Sequence, residues 1–459
     1  MDCGSRGHPI KKAIPTVRVG LGGIRVYDRA MDRTLPRSLA TLAVTASLAL
    51  VASACGNATP PPSASPSASA TASPQSSASP SAQASGDLAA IYAAINEEVR
   101  AIRGLEEKTP IAPTIVSPDE MTEVVRTSFD EDYPADELAA DERLYHALGL
   151  LPKDKKLKDV YIDLLESQVL GLYDPMDKSL YVLSEAGQVG AVEKVYYSHE
   201  YDHALQDQNF DLGAFTDGLL DETDEGLARQ ALVEGDAYVA MSYWLQQNLT
   251  PEEITDFITA SADPESQQAL QRIPPIVQAQ LIFPALQGFQ FVGGIQGTGD
   301  WPAVDAAFGD PPQSTEQVLH ADKFSAREAP IKVDLPDDLA TKMGTGWSVV
   351  DEDTMGEHQT AIWLGSPTIA AADDAAAGWG GDRITLIGGP DDAWAIAWHT
   401  VWDSDDDAAE FEVTAQAAVD KAGGPGRIVP GEGGEHRWVV IGSDDTAMGK
   451  VANALGLAG

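Results

Sequence analysis

The residues best equipped for chemistry lie in "YYSHEYDHALQDQ", Tyr196 to Gln208, where His199, Glu200 and His203 take the spacing H-E-x-x-H. On an α-helix, two histidines four residues apart stand about 40° apart around the axis and one turn along it, so both imidazoles can reach a single ion. Glu200 is turned about 100° from His199 and borders such an ion without occupying a ligand direction. Two imidazoles, a divalent cation and a neighbouring carboxylate base are the parts of metal-assisted hydrolysis. Eight histidines among 71 acidic residues also produce this pattern by chance, so the surroundings must decide.

The elements that would position these groups have their own spacing. Val192, Val195, Tyr196, His199, His203 and Gln206 follow a helical period and form one inward face. Downstream, "LARQALVEGDAYVAMSYWLQQ" repeats the pattern with Leu227, Ala231, Glu234, Tyr238, Met241 and Leu245, a core stripe with a carboxylate in its middle. A buried carboxylate needs a cation or a strong donor, and a zinc ion held by His199 and His203 would satisfy Glu234. The alternatives are pairing with an arginine such as Arg229, or a Glu234 turned to solvent. Gly235 and Ala237 are small enough to let the two helices pack closely. Before the motif, "GLYDPMDKSLYVLSE" reads as a hairpin about an Asp-Pro turn, with "SLYVL" as an edge strand on which a substrate backbone can add.

Taken together, "HALGLLP", "GLYDPMDKSLYVLSE", "HEYDHALQDQ", "VEGDA" and "PPQSTEQVLH" resemble the zincin superfamily in its gluzincin arrangement. More narrowly, they are similar to a family of largely uncharacterised exported bacterial proteins assigned as metallopeptidases. The resemblance spans roughly residues 140 to 330. It implies a zincin-like fold, zinc ligands His199, His203 and Glu234, and a catalytic Glu200. One departure stands out: Tyr238 occupies the place where thermolysin-like enzymes have an aspartate supporting a ligand histidine.

In that chemistry Glu200 takes the proton of the attacking water and passes it to the leaving amine. A developing oxyanion needs a further donor, for which Tyr238 and His320 are candidates. Tyr238 reads equally as core, and His320 as a helix-end histidine. Asp207, one turn beyond His203, either orients a ligand imidazole or is simply solvated.

The ends of the chain carry other information. Residues 1–30 read as a non-native extension ahead of a start at Met31. Residues 31–54 combine Arg33 and Arg37 with an apolar run from Leu39 to Ala54, a secretory signal. "ASAC" resembles a lipobox, so Cys55 is expected to carry lipid and to anchor the protein to a membrane outside the cytoplasm. Cys55 follows the signal as a lone cysteine, so no disulfide is expected. Residues 55–86 are a Pro/Ser/Ala-rich tether with too little apolar bulk to fold. Without residues 1–54 the chain keeps 22 basic against 68 acidic residues, a formal charge of −46, which argues against nucleic acid and anionic lipid as partners of the folded part.

The expected fold class is α+β: a mainly helical zincin-like domain over 87–345 with a small edge-strand sheet, then a C-terminal α+β region over 346–459. Thr250 and Glu253 suggest a helix cap. "IPPIVQAQLIFPALQGFQFVGGI" suggests a buried helix broken by prolines and glycines. Residues 301–330 read as a connector or a lid. In the C-terminal region "GWGGD" lacks the Lys-Ser/Thr of a phosphate loop, and His358, His399 and His436 lack metal spacing. The expected function is zinc-dependent hydrolysis of a peptide or protein substrate. Two rivals stand beside it: a zinc-stabilised, non-catalytic envelope scaffold lipoprotein, and a metal-dependent amidase acting on cell-wall peptides.

Overall fold

Apolar residues at helical spacing from Leu88 to Ile102 build α1 (Ala82–Arg103). In the computed structural model, residues 82–183, 189–219, 221–262, 272–365 and 374–457 are described. The expected start at Met31, the export signal, Cys55 and most of the tether lie outside them. The helix begins five residues inside the expected tether, where Ala82 and Ala84 have the highest helix propensity of any residue type.

After β1 (Thr114–Val116) come α2 (Pro118–Asp132), α3 (Ala135–Leu148) and α4 (Leu157–Gln168). A reciprocal cap opens α2: Ser117 Oγ accepts from Glu120 N–H while Glu120 Oε2 accepts from Ser117 N–H at 2.9 Å. Gly149, at φ +77°, closes α3. The expected hairpin forms as β2 (Gly171–Asp174) and β3 (Ser179–Leu183). The strand order is β1-β3-β2, with β3 parallel to β1 and antiparallel to β2. This corrects the expectation that "SLYVL" is an edge strand. Both of its edges are paired, because Thr114–Val116, far upstream, takes the side that the hairpin leaves free.

Four helices follow: α5 (Ala191–Phe210), the short α6 (Leu212–Thr216), α7 (Thr223–Asn248) and α8 (Pro251–Ser261), the last capped by Thr250 and Glu253 as expected. The 35-residue α9 (Pro275–Gly309) runs through Pro284, and its backbone leaves helical geometry only at Asp300. It packs along α7 at a glycine crossing. A Cβ on Gly235 would lie 2.2 Å from the Gly288 carbonyl oxygen, and one on Gly288 would lie 2.2 Å from that of Ala231. Gly235 therefore serves contact with α9. The sequence expectation places its small size at the contact with the motif helix.

Residues 310–345, with α10 (Thr315–Leu319), α11 (Ala321–Ala326) and α12 (Leu339–Met343), connect to the C-terminal region. There β4 (Ser348–Asp353), β5 (Trp379–Gly388), β6 (Trp394–Trp402), β7 (Gly426–Pro430) and β8 (His436–Gly442) form an antiparallel sheet of order β4-β5-β6-β8-β7. The helices beside it are α13 (Gly356–Leu364), α14 (Asp405–Val419) and α15 (Asp445–Ala454). The architecture is α+β. One apolar core runs through both parts, joining Val125, Leu144 and Leu165 to Trp363, Trp398 and Phe411.

The α7–α9 crossing gives a paired test. Gly288→Ala forces the backbones apart and should destabilise by about 2 kcal/mol or more. Gly294→Ala, on the same helix with nothing within 4 Å of the added carbon, should be neutral or stabilise by about 0.5–1 kcal/mol. Urea unfolding midpoints of the two variants compare these effects directly.

Candidate metal centre

Helix α5 brings His199 and His203 one above the other, and α7 brings Glu234 against them. The two Nε2 atoms are 3.0 Å apart, and Glu234 Oε2 lies 3.3 Å from that of His199 and 3.7 Å from that of His203. Ligands about 2.05 Å from a tetrahedral ion stand about 3.3 Å from one another, so these separations fit one small cation. The three residues are 1 %, 0 % and 3 % exposed. Together they form a buried group that could hold a metal ion. Arg229, the alternative partner for Glu234, is instead bound to Glu225 and to the Phe215 carbonyl.

The electrostatics also call for a positive charge at this point. Burial pushes the Glu234 carboxyl upward, yet His203, with smaller help from His199, outweighs it and holds the group down at about 2. Burial pulls His203 downward, but Glu234 carries it up to about 9. A proton on His203 supplies the counter-charge that a metal ion would otherwise supply, so ion uptake would displace that proton.

Hydrogen bonding fixes how His203 presents itself. Gln206 Nε2 donates to the Val233 carbonyl at 3.0 Å and to Asp236 Oδ2 at 3.0 Å. A carbonyl oxygen accepts only, so the amide orientation is set and Gln206 Oε1 must face His203 Nδ1, 2.9 Å away. His203 thus donates from Nδ1 and, when neutral, turns a bare Nε2 lone pair to the centre. Asp236 accepts from Arg103 Nε at 2.6 Å, and Arg103 also lies 2.7 Å from Asp305 and over the Trp301 ring. Asp202, facing the same buried cluster, is pushed up to about 8 by burial and by Asp236.

Glu200 is fully buried beside the trio. Its Oε2 accepts from the Tyr173 backbone N–H of β2 at 2.8 Å, while Oε1 has no hydrogen-bond partner among the described residues. Burial raises its carboxyl above the usual range. Gly171 makes this approach possible, since a Cβ there would lie 2.9 Å from Glu200 Cγ. Tyr238 packs its ring on that of His199, centroids 4.5 Å apart, and burial keeps its hydroxyl protonated.

The other sequence candidates lie elsewhere. His320 Nε2 is 2.9 Å from Glu357, in a cluster with Glu316 and Lys323. Neighbouring Thr315 bonds Asp224, ten residues and about 15 Å along α7 from Glu234. Asp207 neither orients an imidazole nor faces water. It accepts from the Tyr173 hydroxyl at 2.7 Å and from Lys178 at 2.9 Å, tying the hairpin to α5. Sequence reading missed the relay Gln206–Asp236–Arg103. Gln206 was already on the inward face of the motif helix, but Arg103 lies 133 residues from Asp236 and has no local signature.

The relay can be tested apart from any activity. Gln206→Leu should weaken metal affinity about 10- to 100-fold, read by competition with a chelator. Arg103→Met leaves Asp236 uncompensated and should destabilise by about 3–5 kcal/mol in urea unfolding.

In comparisons with known proteins, a family described as "Domain of unknown function (DUF8575)" matches residues 345–452, the stretch that holds the five-stranded sheet. No curated protein and no solved structure matches the chain.

Proposed function

We propose that the chain is an exported, zinc-dependent peptidase, anchored to a membrane by lipid on Cys55, that hydrolyses a peptide or protein substrate. The observation that supports this most is the placing of a half-free carboxylate, Glu200, beside a three-ligand cation site. Two imidazoles and one carboxylate suit zinc, and three protein ligands are the number found at catalytic zinc sites. Zinc bound there would polarise a substrate carbonyl and acidify a water molecule.

The chain's own residues do the rest. The Tyr173 N–H holds Glu200 Oε2 still, which leaves Oε1 to accept the proton of the attacking water. The raised affinity of Glu200 for protons, caused first by burial, favours that acceptance. The same oxygen then returns the proton to the leaving amine. Tyr238, protonated and tilted against the His199 ring, is the candidate to donate to a developing oxyanion. His320 has no part in these steps, being engaged with Glu357.

One observation favours a second reading, the zinc-stabilised scaffold. All three ligands and Glu200 are at most 3 % exposed, as at a structural site.

Metal content and cleavage of a mixed peptide library, measured on the intact chain and two variants, separate the readings. The parent and Glu200→Gln should each hold one zinc per chain, while Glu234→Ala should lose affinity by at least about 100-fold. Cleavage should fall by about 100-fold or more in Glu200→Gln. A parent that binds zinc and loses thermal stability on chelation, yet cleaves nothing, establishes the scaffold.

A further inference from the structure

A second site is built where the two parts of the chain meet. Between α3 and the turn joining β5 to β6 lies a cleft of about 600 Å³, the size of a small-molecule pocket. Arg143, His146 and Lys153 face it from one side, Trp394 and Asp392 from the other. The matched region 345–452 supplies only the second wall.

The charge of this cleft runs against the rest of the molecule. The chain carries 71 acidic residues against 30 Lys and Arg, and many of its cations are held by carboxylates. Lys323 holds Glu316, Glu328 and Asp403, and Arg383 holds Glu222 and Glu352. Arg143 and Lys153, by contrast, make no ion pair or hydrogen bond among the described residues. Arg143 and Lys153 outnumber the one carboxylate of the lining, Asp392, which leaves a locally positive concavity on a strongly acidic chain, and concave walls focus that field.

Glycines keep the charged and aromatic groups clear. A Cβ on Gly388 would stand 3.3 Å from Arg143 Nη2, and one on Gly423 would stand 3.2 Å from Trp394 Cζ2. The floor is fixed by the Gly423 N–H, which donates to the Ala147 carbonyl at 2.9 Å.

We infer that this cleft binds a small molecule in which a carboxylate or phosphate stands next to a flat ring. The Arg143 fork takes the anion and Trp394 takes the ring, and Lys153 adds long-range attraction. The site is independent of the metal centre, and occupancy would brace α3 against the C-terminal sheet.

Isothermal titration of the intact chain with four probes tests this. N-acetyltryptophan carries a carboxylate and a ring, phenyl phosphate a phosphate and a ring, N-acetyltryptophanamide the ring alone and acetate the anion alone. Saturable binding of either ring-bearing anion is expected, the better of the two identifying the anion, with the ring-only and anion-only probes at least about ten-fold weaker. Arg143→Gln should weaken binding about ten-fold, and Lys153→Gln should flatten its salt dependence. Lys332→Gln, at an exposed cation away from the cleft, should change nothing. The inference is overturned if neither ring-bearing anion saturates below about 10 mM, or if folded Arg143→Gln and Lys153→Gln both bind like the parent.

Discussion

An ionised carboxylate almost without access to water, Glu234, sets the terms for the helical part of the structure. Its favourable neighbours are two ring nitrogens, and a site of this kind is stable only with a positive charge inside it, a proton on His203 or a metal ion. Two residues further along α7, Asp236 is buried as well. Positions two apart on a helix point about 200° apart, so α7 delivers one anion toward the histidines and another away from them. The second anion is met by Arg103 from α1, which is itself wholly buried. Helix α1 is therefore part of the candidate metal centre's support, and Gln206 is the joint at which both anions' surroundings meet, bonding Asp236 on one side and His203 on the other.

How much of this was legible in the sequence follows from how local each signal is. The motif spacing placed His199, Glu200 and His203 because a helix turns a four-residue interval into a shared direction. The stripe from Leu227 to Leu245 placed Glu234 by the same rule, and it lies on the histidines as expected. The α+β character expected of residues 346–459 is what forms, a five-stranded sheet with helices beside it. What escaped was non-local or unusually buried. The partner of β3 is a three-residue strand some 65 positions upstream, and nothing in "TIV" names it. The capping box Ser117/Glu120 is a local signal for the start of α2. Helix α13 is buried on every side, so "GEHQTAIWL" carries no amphipathic contrast to betray it. Tyr238 and His320 looked alike as candidates, and only tertiary contact separates them.

The C-terminal region was expected to be a separate unit, and its internal design does have self-sufficient features. Asp382 is buried, yet its two oxygens accept from the Met355 and Gly356 N–H groups and from the Trp379 and Trp398 indoles, so that carboxylate is satisfied without any cation. This is the opposite solution to that at Glu234. One acid is neutralised by donors from its own fold, and the other has two ring nitrogens as its near neighbours. The contrast separates a structural carboxylate from one suited to hold an ion.

The same residues show why the region cannot be treated as an appendage. Gly356, at φ +69°, sits so close to Asp224 that a Cβ would fall 1.7 Å from its Oδ1. Asp224 in turn accepts from the Thr315 N–H, and its own N–H donates to the Thr354 carbonyl at 3.3 Å. Asp224 lies in the first turn of α7, so the start of the rod that carries Glu234 is stapled by the loop between β4 and α13. At 1.5 Å per residue, that staple and the Gly235–Gly288 crossing fix α7 at two points about 16 Å apart. A rigid helix held at two points has little freedom to slide. The depth at which Glu234 meets the two imidazoles is therefore set in part by residues of the C-terminal region, which no reading of the motif alone would have connected to the candidate metal centre.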